Sequence, residues 1–294
     1  MRSIFASKLV QIEVTNACVN QCANCTRCVG HHPKPFFMDL EMVEKIIDSL
    51  DGFNGEIGLM GGEPTLHPEF EKICKLFQQK IPRERRGLWT SGYKWEEYKD
   101  IIEQTFDKER IVYNEHSTYG GIHQPILAGM EDLVRDKKLR EELKENCWVQ
   151  RRWETCSVTP YGAYFCEIAG ALDILFNAGK NAVPLFTPFG WEDDGFIWWK
   201  ETELFKKQQK ICDSCGIPIP IGGMSDRATF DLISGGNLKK LKKIGSPKIA
   251  LGNYALYNRK WIKSEIIEKT QDWKPWNWRD FYAYGPENYG ENKT

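Results

Sequence analysis

Apolar and polar positions follow two different periods along the first half of the chain. Residues 9–14, LVQIEV, alternate between apolar and polar and predict a strand. Asp39 can cap a following helix, because Met42, Ile46 and Leu50 recur at the spacing of one helix face. The same reasoning predicts further strands at 57–60, 87–90 and 110–113, and helices at 68–79, at 95–105 and between 124 and 145. Strands alternating with helices predict an α/β fold with a parallel sheet, of which a partial barrel is a common form.

Chemically versatile residues follow the predicted strands. In parallel barrels, functional side chains collect where the strands end. The cysteine-rich loop at 15–28, the turn Gly61-Gly62-Glu63-Pro64, the pair Thr90-Ser91 and the pair Glu115-His116 each come directly after a strand. We therefore expect these four segments to meet at one edge of the sheet.

The pattern changes near Cys147. Residues 155–167 predict a β-hairpin that turns at Pro160-Tyr161-Gly162. From there to Cys215 the alternation of strands and helices weakens and cysteines become frequent. We predict a barrel domain at 1–146, a smaller domain at 147–223, and an extension at 224–294 with a basic helical patch and an aromatic-rich end.

Composition excludes several classes of protein. The 294 residues carry 40 Lys and Arg against 41 Asp and Glu, so nothing favours nucleic acid as a partner. The first residues are too short and too polar for a signal peptide, and no apolar run is long enough to span a membrane. We expect a cytoplasmic protein, in which ten cysteines favour metal binding or redox chemistry over structural disulfides.

The first cysteine group is Cys18-x3-Cys22-x2-Cys25. Three thiolates on one compact loop can hold three irons of a 4Fe-4S cubane and leave the fourth iron open. A zinc site is the alternative, because Cys28 can supply a fourth thiolate.

The spacing of this loop directly after the first strand resembles the radical SAM superfamily, whose fold is a partial (β/α)6 barrel. The resemblance implies that S-adenosylmethionine (SAM) chelates the open iron of a cluster bound by the three cysteines. Residues 59–64, LMGGEP, are similar to the family's second motif, in which Gly61, Gly62, Glu63 and Pro64 would lie beside the methionine part of SAM. Glycine there allows close approach of the backbone.

Other expected SAM contacts rest on position within the family pattern. Asn24 departs from it, because the residue before the last cysteine is usually aromatic; its role toward adenine is largely through the backbone. Thr90 and Ser91, together with Glu115 and His116, stand where family members commonly hold ribose and carboxylate.

A second cysteine group lies beyond the predicted barrel. Cys156 and Cys166 are equally far from Tyr161, so a regular hairpin would bring them face to face. With Cys212-x2-Cys215 they supply four thiolates, enough to ligate a second 4Fe-4S cluster. Zinc, or a disulfide plus a redox pair, are the alternatives. The arrangement resembles the twitch domain, a shortened SPASM domain that carries an auxiliary cluster after a radical SAM barrel.

The resemblance implies a reaction. An external electron donor of the flavodoxin or ferredoxin type reduces the first cluster, SAM is split, and the 5'-deoxyadenosyl radical removes hydrogen from a substrate. An auxiliary cluster can accept the remaining electron, which favours an oxidoreductase acting on an alcohol, like the twitch-containing dehydrogenases of aminocyclitol biosynthesis. A small polar substrate, such as a sugar or an aminocyclitol, is expected.

Three alternatives remain open. In an epimerase a cysteine donates hydrogen to the substrate radical, and Cys147 is the preferred donor among Cys147, Cys28 and Cys74 because it lies at the junction of the two predicted domains. A peptide-modifying maturase is disfavoured, because only 17 residues precede Cys18 and leave no room for a leader-binding domain. The third alternative is a non-enzymatic protein that uses both cysteine groups to bind zinc.

Overall fold

A six-stranded sheet forms the centre of the computed structural model, which describes residues 4–114, 121–187, 190–191 and 197–257. Its strand order is β4-β3-β2-β1-β6-β7. The first five of these strands are mutually parallel, and only β7 runs antiparallel. Three two-stranded sheets complete the described part. The strands are β1 (Leu9–Thr15), β2 (Glu56–Gly61), β3 (Arg86–Thr90), β4 (Ile111–Tyr113), β5 (Ile122–His123), β6 (Thr155–Thr159), β7 (Gly162–Tyr164), β8 (Phe186–Thr187), β9 (Gly190–Trp191), β10 (Met224–Ser225), β11 (Asp231–Ile233) and β12 (Tyr254–Leu256).

Helices connect the parallel strands, as the sequence pattern predicts. Asp39 accepts a hydrogen bond from the backbone N–H of Met42 at 2.7 Å and so caps the first helix. The helices are α1 (Leu40–Ser49), α2 (Phe70–Lys80), α3 (Trp95–Thr105), α4 (Met130–Leu133), α5 (Lys137–Glu145), α6 (Glu167–Asn177), α7 (Gly235–Lys243) and α8 (Pro247–Ala250), and a long 3-10 helix spans Thr202–Ser214. The predicted α/β fold class is confirmed.

The predicted hairpin is present but differs from the prediction in two respects. Its first strand, β6, pairs in parallel with β1, so the hairpin belongs to the central sheet. Ser157 lies opposite Tyr164 and Thr159 opposite Gly162, which leaves a two-residue turn instead of a turn centred on Tyr161. The prediction that Cys156 and Cys166 face one another is therefore wrong by one residue. A shift of one residue turns a side chain to the other face of a sheet.

Strand β1 is buried on both faces. Val10, Ile12 and Val14 belong to the apolar core that also contains the buried side chains of α1. Gln11 and Glu13 point to the opposite face, yet each is only 3% exposed. The polar face of β1 is therefore buried inside the protein, and Gln11 on this face lines the cavity described below.

Two further findings concern the helices. Helix α6 follows the hairpin in a region where the sequence pattern weakens, and its residues are buried nearly all round. Within the described residues, none of the helices combines the length and the apolar character required to cross a bilayer.

Candidate active site

The first cysteine group lines a cavity of about 480 Å³ at the carboxyl ends of the strands. Cys18, Cys22 and Cys25 all contribute to its wall. The wall is continued by residues at the ends of β2 and β3 and by the inner face of the sheet: Gly61, Gly62, Thr90, Ser91, Gln11 and Met60. Most of the predicted segments therefore do meet at one edge of the sheet. Glu115 and His116 lie outside the described residues.

The three thiols are close enough to influence one another. Burial, reinforced by the neighbouring Cys25, raises the pKa of Cys18 to about 11 and that of Cys22 to about 12. Within the described residues, no three His, Cys, Asp or Glu side chains converge tightly enough to hold a single metal ion. A cubane instead binds each thiolate to a different iron. A three-cysteine wall around an open cavity fits a cluster with one iron left for another ligand.

The Gly61-Gly62 turn packs against the beginning of the cysteine loop. The N–H of Gly62 donates to the carbonyl of Thr15 at 2.7 Å, and the N–H of Glu63 donates to the carbonyl of Ala17 at 2.7 Å. A Cβ atom on Gly61 would overlap the Thr15 carbonyl oxygen, and one on Gly62 would overlap that of Ala17. The close packing of the backbone therefore requires glycine at both positions, whether or not a ligand is bound.

Glu63 is fully buried and accepts hydrogen bonds from three neighbouring residues. One carboxylate oxygen accepts from the backbone and hydroxyl of Thr65, at 3.1 and 2.8 Å, and from the hydroxyl of Thr90 at 2.7 Å. The other accepts from the backbone and hydroxyl of Ser91, at 2.7 and 2.6 Å. Glu63 thereby joins the end of β2 to the end of β3, and Pro64 begins the short 3-10 helix that follows.

We expect Glu63→Gln to lower the free energy of unfolding by about 2 kcal/mol, because the NH2 group that replaces one carboxylate oxygen cannot accept the hydrogen bonds that the neighbouring N–H and O–H groups donate. Urea denaturation of the metal-free protein measures the change. Glu103→Gln on the exposed side of α3 is the matched control and should change stability by less than about 0.5 kcal/mol. Equal stabilities of the two variants would contradict this role of Glu63.

Asn24 turns away from the cavity. Its backbone has a φ of +51°, in the left-handed region that asparagine tolerates better than most residues. Its side-chain oxygen accepts from the N–H of Leu232 at 3.0 Å, and its own N–H donates to Asp231. The side chain therefore anchors the loop to β11.

The buried charged cluster that Arg27 forms at the cavity was not predicted from the sequence. Arg27 donates to Gln11 at 2.7 Å and to Glu167 at 2.9 Å, and its Nε lies 3.5 Å from Glu13. Burial raises the pKa of Glu13, although Arg27 opposes the shift. Gln11 and Glu13 alternate with apolar residues along β1, and this alternation would have revealed the group had the inner face been recognised as buried.

Comparison with known proteins identifies the region around this cavity. Residues 12–112 match the family model described as the Radical SAM superfamily. The chain contains a radical SAM domain. Such a domain implies a 4Fe-4S cluster and SAM as cofactors, and the cysteine-lined cavity at 18–25 fits them.

Other comparisons give less. None of the curated proteins matches the chain. A crystal structure of selenomethionine BtrN in an open conformation matches 71% of this chain and 86% of its own, with 17% identity and a TM-score of 0.41. BtrN in complex with AdoMet and 2-DOIA matches 55% and 74%, with 17% identity and a TM-score of 0.35. These similarities are too low to assign a substrate.

A second cysteine-lined cavity, of about 530 Å³, lies next to the radical SAM domain. Its wall contains four cysteines, namely Cys147, Cys166, Cys212 and Cys215. Burial raises the pKa of Cys166, and Cys147 and Cys212 raise it further; burial also raises that of Cys215, reinforced by the other three thiols. These mutual effects require the four thiols to be near one another.

Cys156 lies elsewhere. It is fully buried on β6, where its thiol donates to the carbonyl of Leu9 at 3.5 Å. Burial raises its pKa to about 12, with a smaller opposing effect of Ser7, and no other cysteine contributes to the shift. The residue is absent from the wall of the second cavity. The structure thus brings together three of the four predicted thiols and adds Cys147.

Proposed function

We propose that this protein is a radical SAM oxidoreductase with two 4Fe-4S clusters that oxidises an alcohol group of a small polar substrate, such as a sugar or an aminocyclitol. Cys18, Cys22 and Cys25 bind the first cluster. In this proposal Cys147, Cys166, Cys212 and Cys215 bind the second cluster, in a twitch-like arrangement in which Cys147 replaces Cys156 as a ligand. An external one-electron donor and a reducing compartment such as the cytoplasm complete the scheme.

The observation that carries the proposal is the proximity of two cysteine-lined cavities. Glu154 and Cys166 line the 530 Å³ cavity, whereas the next residues, Thr155 and Glu167, line the 480 Å³ cavity. Consecutive residues are only about 3.8 Å apart along the backbone. One thin wall therefore separates the two sites, which suits transfer of an electron from a substrate in the first to an acceptor in the second.

The chain's own residues give the first cavity a polar floor. Arg27 and Glu167 present a buried guanidinium and carboxylate, and the buried hydroxyl of Thr155 has no hydrogen-bond partner among the described residues. Trp89 and Met60 add apolar surface. Such a mixture binds hydroxyl or amino groups on one side of a small ring and its C–H groups on the other.

When bound, the two clusters and SAM would supply reductive cleavage of SAM, removal of a hydrogen atom from the carbinol carbon, and uptake of the remaining electron as the hydroxyl proton leaves. The result would be a carbonyl compound. The protein's part is to orient the carbinol carbon and to hold its hydroxyl group.

Epimerisation has less support. Among the described residues, the cysteines that line the first cavity are Cys18, Cys22 and Cys25, and no other thiol is available there to return hydrogen. Cys147 lines the second cavity, whereas Cys28, at the end of the cysteine loop, and Cys74, in α2, are both buried in the apolar core.

Anaerobic reconstitution tests the proposal. We expect about eight irons and eight sulfides per chain, and 5'-deoxyadenosine formed from SAM under reducing conditions. Cys22→Ala should abolish SAM cleavage and leave about four irons. A panel of sugars and aminocyclitols should contain a compound that is oxidised in equal amount to the 5'-deoxyadenosine formed. Zinc bound without iron would contradict the enzyme, and solvent deuterium at a carbon of the recovered substrate would favour the epimerase.

A further inference from the structure

The segment 226–248 forms the back of the cysteine loop, about 200 residues away in the sequence. Two backbone hydrogen bonds tie them together: Ala23 N–H donates to the carbonyl of Asp226 at 2.7 Å, and Lys248 N–H donates to that of Gly30 at 3.2 Å. Neither Asp231 nor Lys248 lines the cavity in front of the loop. The loop is thus held from behind by a part of the chain outside residues 12–112.

Lys248 places a cation directly behind a cysteine. Its side-chain ammonium donates to the backbone carbonyl of Cys22 at 2.9 Å and to both carboxylate oxygens of Asp231, at 3.1 and 3.0 Å. The side chains of Lys248 and Asp231 are 4% and 1% exposed. Burial keeps water and salt from screening these charges, so they act over a longer distance than surface charges do.

Asp231 is held by two further groups. Its carboxylate accepts from the N–H of Asn24 and from Nε2 of His31 at 2.7 Å. The other ring nitrogen of His31 is hydrogen-bonded to the hydroxyl of Ser246 at 2.8 Å. The pair therefore has a fixed geometry, with Lys248 on the Cys22 side and Asp231 on the Asn24 side.

We propose that Lys248 and Asp231 are positioning residues that set the reduction potential of the cluster bound by Cys18, Cys22 and Cys25, with opposite signs. Reduction adds one negative charge to a cluster, and nearby charge and hydrogen bonds are known determinants of cluster potentials. The Lys248 cation favours the reduced cluster. Asp231 opposes it and at the same time compensates the lysine in the interior.

The other charges that face the loop do not duplicate this pair. Arg27 lies on the cavity side, where Glu13 and Glu167 surround it with two carboxylates. Glu63 and Asp226 are two further buried carboxyl groups, 0% and 2% exposed, and Asp226 adds to the effect of burial in raising the pKa of Cys22. Lys248 therefore differs from these groups, because its buried ammonium group contacts the backbone of a loop cysteine directly.

Potentiometric titration followed by electron paramagnetic resonance tests the inference on the reconstituted protein. The signal of the first cluster is recognised because SAM alters it, whereas a cluster with four protein ligands is unaffected. We expect Lys248→Met to lower the midpoint potential and Asp231→Asn to raise it. Lys248→Arg, which keeps the charge, should stay near the wild type, and the double variant should lie between the single ones. Lys242→Met on the exposed side of α7 is the matched control and should cause no shift.

Opposite shifts of Lys248→Met and Asp231→Asn would support the electrostatic role, because loosening of the loop would move both variants in the same direction. Shifts in one direction, or no shift in either, would overturn it. Loss of the first cluster from every variant, while the wild type retains it, would show that the pair has only a structural role, and this result would also overturn the proposal. The substrate plays no part in this test, so failure of the proposed oxidation would leave the result unchanged.

Discussion

Replacing Cys147 with alanine should remove about half of the iron that the reconstituted protein binds, from about eight to about four per chain. Cys147 lines the second cavity together with Cys166, Cys212 and Cys215. A cubane with only three thiolates there has one iron without a ligand, whereas SAM chelates the open iron of the first cluster in the proposed scheme. SAM cleavage should persist, because the first cavity keeps its three cysteines. Formation of the oxidised product should fall, because the electron acceptor is lost.

The matched control is Cys156→Ala. This thiol is equally buried but contacts the backbone of β1 and lies outside the second cavity. The variant should therefore retain about eight irons per chain and its product formation, with at most a moderate loss of stability from the missing sulfur. Iron analysis and product analysis of the two variants side by side decide the ligand. Loss of the second cluster in Cys156→Ala, and its retention in Cys147→Ala, would restore the ligand set expected from the sequence.

Local patterns predicted much of the fold. The alternation in β1, the helix cap at Asp39 and the glycine turn after β2 are signals carried by a few adjacent residues, and each element lies where they place it. Helix α6 was missed for a physical reason. Its sequence, EIAGALDILFN, is apolar on nearly all sides because it is buried all round, so it lacks the polar face that marks an amphipathic helix.

Long-range contacts could not be predicted in the same way. Symmetry about Tyr161 favoured Cys156, but the two-residue turn shifts the register by one position and leaves Cys147 beside Cys166. The contact of Lys248 with the Cys22 carbonyl joins residues separated by 226 positions. A charged residue at position 248 looks like part of any basic helical surface until the fold buries it.

Gly61→Ala should lower the free energy of unfolding by about 2 kcal/mol and weaken SAM binding about tenfold. The added Cβ would overlap the carbonyl oxygen of Thr15. That oxygen belongs to the residue paired with Gly61 across β1 and β2 and also accepts the N–H of Gly62. Because backbone atoms of a paired strand cannot yield as a flexible side chain does, the start of the cysteine loop must move away from the turn.

The expected effect differs from simple misfolding, because the three cysteines themselves are unchanged. Gly61→Ala should still bind the first cluster. A higher SAM concentration than in the wild type should be needed to change the electron paramagnetic resonance spectrum of that cluster. Gly222→Ala is the matched control, since a Cβ there meets no atom within 4 Å, and it should leave both stability and SAM binding near the wild type. If Gly61→Ala bound SAM as tightly as Gly222→Ala, the turn would have no part in shaping the site. A loss confined to Gly61→Ala would show that the packing of β2 against the loop controls how SAM is held.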